Sequence, residues 1–349
     1  MKNKKIGAVL LALLAAVLYA LNTPLSKLLL NNVPATLMAA FLYLGAGIGV
    51  GAMYCFHWKK EDKSERLSKK DLPYTIGMIA LDIAAPIFLM MGIKIGTAAN
   101  ASLLGNFEIV ATTLIALLFF SEKVSGRLWA AISLITLSSF ILSFEGTDSF
   151  QFSYGSLLVL LATCCWGLEN NFTRHISEKS TYEIVTLKGI FSGLGSIGIA
   201  LVTRENFPAL KYIILAMLLG FVAYGLSIFM YIRAQRYLGA AKTSAYYAVA
   251  PFIGAFLAFV LVGDLLSWTY AVAFFVMMVG TVFVVMDTLI VHHRHMHTHA
   301  ITHTHDGSTH KHVLEHEHIH NHIGNEETHS HTTDDFFNSP EHQQQHLHG

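Results

Sequence analysis

Two stretches of the chain repeat each other, 106–142 and 248–284, at a constant offset of 142 residues. Their middles match best: Phe120-Ser121-Glu122-Lys123-Val124-Ser125 against Val262-Gly263-Asp264-Leu265-Leu266-Ser267. Each copy runs from an apolar span through a small residue, an acid and a serine into a second apolar span. A weaker echo lies upstream, where Leu13-Leu14-Ala15 through Tyr19, Asn22 and Lys27 matches Leu160-Leu161-Ala162 through Trp166, Glu169 and Arg174. Repetition on this scale in an apolar chain implies a duplicated helical bundle in a membrane, with the working site held between the copies.

Composition agrees. The chain has 349 residues, 53% hydrophobic and 13% charged, with a mean hydropathy of +0.49, whereas a soluble domain carries about 25% charged residues. A polar tail after Val291 dilutes these figures. Formal net charge is zero, which gives no footing for nucleic acid. Cys55, Cys164 and Cys165 lie in or beside apolar runs and read as small hydrophobes, the adjacent pair being poorly placed for a disulfide. The start, Met1-Lys2-Asn3-Lys4-Lys5 before an apolar run, imitates a secretory leader. No small-residue cleavage site and polar mature domain follow, so a retained first helix is expected.

Apolar runs near the roughly 20 residues that cross a bilayer recur over 6–29, 34–56, 73–93, 97–120, 126–144, 154–174, 182–203, 211–233, 240–263 and 268–291. The expected fold is therefore an all-α polytopic membrane protein of ten transmembrane helices. Five spans per half is odd, so the second half must sit inverted relative to the first. The expected domains are 1–144, 145–291 and a tail, 292–349. With the N-terminus inside, Lys and Arg flanking the spans number seventeen on the inner side and four on the outer (Lys27, Lys94, Arg204 and Lys211). That bias puts both termini in the cytoplasm of a plasma-membrane protein. Gly45, Gly47, Gly49 and Gly51 in the second span, and Gly189, Gly193, Gly195 and Gly198 in the seventh, mark close helix approach. Static packing and sliding during a conformational cycle are both open readings.

The ends of the two halves carry a resemblance. Asn106-Phe107-Glu108-Ile109 through Ser121-Glu122, and Ala250-Pro251 through Gly263-Asp264, resemble the Glu-Pro and Gly-Glu pattern of the drug/metabolite transporter superfamily, specifically its EamA-like ten-helix carriers. Ile109 replaces the proline in the first copy and Ala250 the glutamate in the second, so the halves are chemically unequal. The resemblance, over about residues 5–290, implies a five-plus-five inverted bundle that is a carrier and not an enzyme. It leaves the solute open, because the branch carries amino acids, sugars, nucleotide-type metabolites and drugs.

Charged residues at bilayer depth cost several kcal/mol and usually face a cavity or a partner. Asp82, Glu108, Glu169 and Lys188 are of this kind. Glu108 is a candidate proton carrier or a structural hydrogen-bond acceptor. Asp82, outside the family pattern, is a candidate for a cationic group or a coupling proton, or a partner of Lys188. Glu169, next to Asn170, is a pathway or interface candidate. Lys188 reads as a counter-ion or a snorkelling side chain. Asn22 and Asn106 are candidate polar contacts. Tyr19 and Trp166 hold matching repeat positions, and Tyr224 aligns with Asp82 by the same offset. With Tyr246 and Tyr247 these rings suit a small organic solute or an amine.

From His292 onward the composition changes, and eighteen of the 20 histidines fall there. The His-x-His runs contain His293, His295, His297, His299, His303, His305, His310, His312, His316, His318, His320 and His322. Imidazole suits zinc, nickel, cobalt and copper. No closed four-ligand spacing appears, so loose multi-site binding on a disordered cytoplasmic segment is expected. The end, Gln343-Gln344-Gln345-His346-Leu347-His348-Gly349, is low complexity.

These readings converge on a secondary transporter that moves a small polar metabolite by alternating access, proton-coupled or exchanging. Spans one, three, four, six, eight and nine would line its path. No nucleotide-binding loop of the Gly-x-x-x-x-Gly-Lys-Ser/Thr kind is present, and no cofactor is required. The expected partners are the lipid bilayer, the solute and metal ions at the tail, and a homodimer is compatible with such a bundle. The alternative is a divalent metal-ion transporter or metal-regulated carrier, fed by the tail and using Asp82, Glu108 and Glu169 as ligands. A metal sensor that has lost transport is a third class.

Overall fold

A computed structural model describes residues 2–58, 66–120, 125–145, 151–176, 178–238, 243, 246–264, 267–305 and 308–323. It forms two compact units, Met1–Asp287 and Thr288–Gly349.

Among the described residues the first unit makes ten helical passages. The first combines α1 (Lys2–Ala20) and α2 (Asn22–Leu29). The second and third are α3 (Ala35–His57) and α4 (Leu72–Ile95). The fourth combines α5 (Ala98–Leu104) and α6 (Phe107–Phe120), and the fifth is α7 (Gly126–Leu142). The sixth and seventh are α8 (Tyr154–Ile176) and α9 (Thr181–Val202). The eighth runs from α10 (Leu210–Gly220) through a π turn (Phe221–Leu226) into α11 (Ser227–Leu238). The ninth contains α12 (Ala250–Val262), and the tenth is α13 (Trp268–Leu289). Between α7 and α8 lies a two-residue ribbon, β1 (Phe144–Glu145) with β2 (Gln151–Phe152).

Most of these helices are apolar on every side, as a bilayer requires of a segment that satisfies its own backbone. Seven are long and apolar enough to cross a membrane; α7 and α12 are shorter apolar helices. Phe56, Val202 and Trp268 stand more than four-fifths exposed, a surface suited to lipid. The helix starts are local chemistry. Thr97 accepts from Asn100 N at the head of α5, and Ser180 from Glu183 N at the head of α9.

The same chemistry explains the repeated motif. Ser125 and Ser267, its two serines, accept from Leu128 N and Tyr270 N at the heads of α7 and α13. Gly263 adopts a left-handed φ of 78° just past α12, where glycine ends a helix without a Cβ clash. Its neighbour Asp264 reaches back to cap α5, accepting from Ala99 N at 2.8 Å. The small residue stops one helix, the acid starts a second and the serine starts a third. The first copy, Ser121 to Val124, lies outside the described residues.

The halves interleave. α3 lies along α9, α4 along α8 and α1 along α11. Glycine permits the first of these contacts. A Cβ on Gly47 would meet the backbone of Gly189 and Ile190, and one on Gly189 would meet the backbone of Gly47 and Tyr43. Gly45 and Gly220 approach the backbones of Met217 and Leu42 in the same way, between α3 and α10. Close helix approach is therefore what most of the glycine stripe permits. Gly198 is the exception, with open space around it.

The second unit carries the histidine-rich tail. Its backbone pairs as an antiparallel hairpin, β3 (Ile290–His305) with β4 (Ser308–Ile323). His-x-His is a period-two pattern, which is also the period of a strand.

Gly189→Leu should separate α3 from α9 and sharply reduce folded yield, by a destabilisation of about 1–3 kcal/mol or more. Gly198→Leu should leave yield and thermal midpoint near wild type. Size-exclusion profile and melting of the two variants in the same detergent make the comparison.

Candidate functional site

Several passages are irregular at positions that also carry polar groups. The first breaks at Leu21, ahead of Asn22, and the fourth at Gly105 and Asn106, ahead of Glu108. The eighth loosens into the π turn that holds Tyr224, and the ninth is irregular before Ala250. Irregular backbone inside a membrane bundle persists only where protein or a cavity supports it.

Lys188 on α9 is the centre of the cluster. Its Nζ lies 3.1 Å from Asp82 Oδ2 on α4 and 3.0 Å from Glu169 Oε1 on α8. Both carboxylates are buried, Asp82 completely. The Tyr43 hydroxyl on α3 donates to Asp82 Oδ1 at 2.9 Å, and Thr173 Oγ1 donates to Glu169. One ammonium thus joins three passages, and each carboxylate has a second donor.

Aromatic rings extend the cluster towards the first passage. The Tyr43 ring centre lies 5.3 Å from that of Tyr224, so Tyr43 joins the two positions that the repeat offset aligns, Asp82 and Tyr224. Asn22 Nδ2 donates to the Tyr224 hydroxyl at 3.0 Å, and Ser26 Oγ donates to Asn22 Oδ1. Tyr19 packs on Tyr224 and Tyr247 at 5.9 and 5.7 Å, and Trp166 is buried in the same core. On the fourth passage Glu108 Oε1 accepts from Asn170 Nδ2 at 2.7 Å, and the same amide reaches Thr112 Oγ1. Asn106 is buried, and its Nδ2 has no partner among the described residues.

The sequence-derived candidates therefore divide. Asp82 and Glu169 meet at Lys188, while Asn22 and Tyr19 meet at Tyr224. Glu108 pairs with Asn170 across α6 and α8. Tyr246 stands apart as an exposed ring, and its neighbour Tyr247 takes the packed place. Tyr43 is the residue sequence reasoning missed, and the second and seventh passages join the six expected around the site.

Side-chain contacts hold both ends of the bundle. At one end Lys27 Nζ donates to Ile93 O and Gly96 O at 2.6 and 2.5 Å. Glu205 accepts from Leu37 N at 3.0 Å at the head of α3, and Asp264 caps α5. Ser102 Oγ donates to Pro251 O, with Gly254 against Ser102 and Ala20. The Glu205, Asp264, Ser102 and Gly254 contacts cross between the halves, whereas those of Lys27 stay within the first. At the other end Glu183 accepts from the Tyr54 hydroxyl at 2.9 Å and from Leu67 N at 2.7 Å, and Ser125 contacts Asp287.

The sequence model of the EamA-like transporter family matches residues 6–144 and 153–286. An uncharacterized transporter of Methanothermobacter thermautotrophicus is 23% identical over 288 residues, covering 76% of this chain and 82% of the relative. A crystal structure of a protein 17% identical aligns with a TM-score of 0.59 over 79% of this chain and 95% of its own, a likeness of fold.

Removing one partner from a buried ion pair costs about 3–5 kcal/mol, because it strands the other charge. Lys188→Met should therefore lower the melting midpoint strongly. Adding Asp82→Asn and Glu169→Gln to the same chain should restore most of the loss. Melting of the single and triple variants in nanodiscs checks both statements.

Proposed function

The chain belongs to the EamA-like transporter family, and from that premise we propose that it is a secondary transporter of a small polar solute, working by alternating access across the cytoplasmic membrane. The observation that carries this reading is the charge balance of the buried cluster. Three buried or half-buried carboxyl groups stand against one ammonium: Lys188 pairs with Asp82 and Glu169, while Glu108 has only the neutral Asn170. An excess of acid at bilayer depth is costly and favours one or two further positive charges, a proton or the cationic group of a solute. Tyr19, Tyr43, Tyr224 and Trp166 add aromatic faces suited to such a group. Proton coupling or exchange follows from the same excess.

Alternating access needs contacts between the halves that can break and reform at each end, and both ends carry them: Ser102 with Pro251 and Asp264 with Ala99 at one, Glu183 with Tyr54 and Ser125 with Asp287 at the other.

A divalent ion as cargo fits less well. Among the described residues no three His, Cys, Asp or Glu side chains converge as a metal site, and Lys188 lies between Asp82 and Glu169. The histidine tail is the part of the chain suited to transition metals.

Asp82→Asn and Glu108→Gln should each reduce solute flux in proteoliposomes by tenfold or more, roughly the scale of a lost buried charge contact. Folded yield should stay near wild type, because Lys188 keeps Glu169 as its partner. Unchanged flux with unchanged pH dependence in both variants would remove these carboxyl groups from the mechanism.

A further inference from the structure

The histidines of the second unit are ordered by the register of its hairpin. β3 and β4 pair with the Cα of His293 opposite His320, His295 opposite His318, His297 opposite His316 and His303 opposite His310. In β3 the alternating histidines sit at odd numbers (His293 to His305), and in β4 at even numbers (His310 to His322). The register pairs odd with even throughout. Successive residues of a strand alternate between faces, so all twelve of these positions belong to one face. The opposite face pairs Arg294 with Ile319, Met296 with Glu317, Thr298 with Glu315 and Ala300 with Val313, and His292 is its only histidine. A register slipped by one residue would send the β4 histidines to the other face.

We propose that this segment is a metal-folded β-hairpin, whose one-sided histidine ladder binds a borderline divalent ion such as zinc where its histidine pairs stand next to one another. The inference rests on the reading that the tail binds transition metals. It adds where they bind and what binding does to the chain.

Directly opposite residues of an antiparallel pair have Cβ atoms about 4.5–5.5 Å apart, a span that two imidazoles on one ion can share at about 2.0–2.1 Å each. Two adjacent pairs supply the four ligands of a closed site. The pairs at His293, His295 and His297 form one such block. At the other end of the ladder only His303 and His310 are directly opposite, because His305 faces Ser308 and His312 faces Ile301. Between that lone pair and the block, His299 faces Leu314, which ends the run of histidine pairs. An isolated two-stranded hairpin is marginal in water, so the free energy of metal binding becomes folding free energy for this segment.

The test uses the full-length protein in detergent, zinc, and a variant in which each of His310, His312, His316, His318, His320 and His322 is exchanged with the residue that follows it. Composition and the His-x-His spacing along β4 are kept, but these six positions move to the other face. The expected result is one tightly held zinc ion per chain and slowed amide exchange across Ile290–His305 and Ser308–Ile323. In the exchanged variant both the protection and roughly tenfold or more of the affinity should be lost, because the paired ligands no longer act together. Equal zinc affinity in both proteins, without amide protection, would overturn the hairpin and leave a loosely chelating tail. Absence of zinc binding in either protein would overturn the metal-binding reading and this inference with it.

Discussion

The bundle depends on one buried cation. Lys188 sits between Asp82 and Glu169, 3.1 and 3.0 Å from their oxygens. Each of these charges alone at bilayer depth would cost about 2.5–3.5 kcal/mol or more. Together they offset one another, and in doing so they pin α4, α8 and α9 to a single arrangement. The pairing leaves less negative charge than three carboxyl groups would, but does not remove it, because Glu108 has a neutral partner in Asn170. With all three carboxyl groups ionised, the interior would be two positive charges short of balance. That is a poor solution for a static scaffold and a useful one for a protein that must bind and release something charged.

The two halves are folded alike but furnished differently. In both copies of the end motif the serine caps the following helix, at Ser125 and at Ser267. The Asp82 position of the first half carries an acid, and its counterpart in the second half is Tyr224. Tyr43 contacts both, through a hydroxyl on one side and a ring face on the other. Duplication supplies the symmetrical frame, and divergence of a few interior positions supplies one asymmetric site within it. The broken first and fourth passages place Asn22 and Glu108 beside helix breaks, where polar side chains help the backbone tolerate a loss of regularity.

Much of this was legible because membrane physics constrains sequence tightly. Ten apolar runs, an inverted duplication and a handful of interior charges follow from hydropathy and offset alone, and Lys188 was already recognisable as a counter-ion. The break at Gly105 and Asn106 has a visible signal in the glycine. The break at Leu21 has one in Pro24, which has no N–H for Ala20 O and whose ring crowds that carbonyl, while the π turn around Tyr224 has no comparable signal. Tyr43 was invisible for a related reason: its offset partner is Val185, so the repeat does not mark it. Tyr246 and Tyr247 could not be told apart, because the irregular backbone before Ala250 defeats a helical period. In the tail the alternation of histidines was plain. Its one-sidedness emerges only when two strands pair and odd positions meet even ones.

The central claim is that the polar cluster lines a path that water and solute can enter, and is more than a dry clamp. The most direct measurement is thiol labelling of Thr112→Cys, beside the Glu108–Asn170 pair, in a background where Cys55, Cys164 and Cys165 are replaced by serine or alanine. A membrane-impermeant reagent should modify it from one side of sealed vesicles only, and a transported solute should slow the reaction. No reaction from either side, with or without candidate solutes, would show that this region is closed packing and would contradict the account.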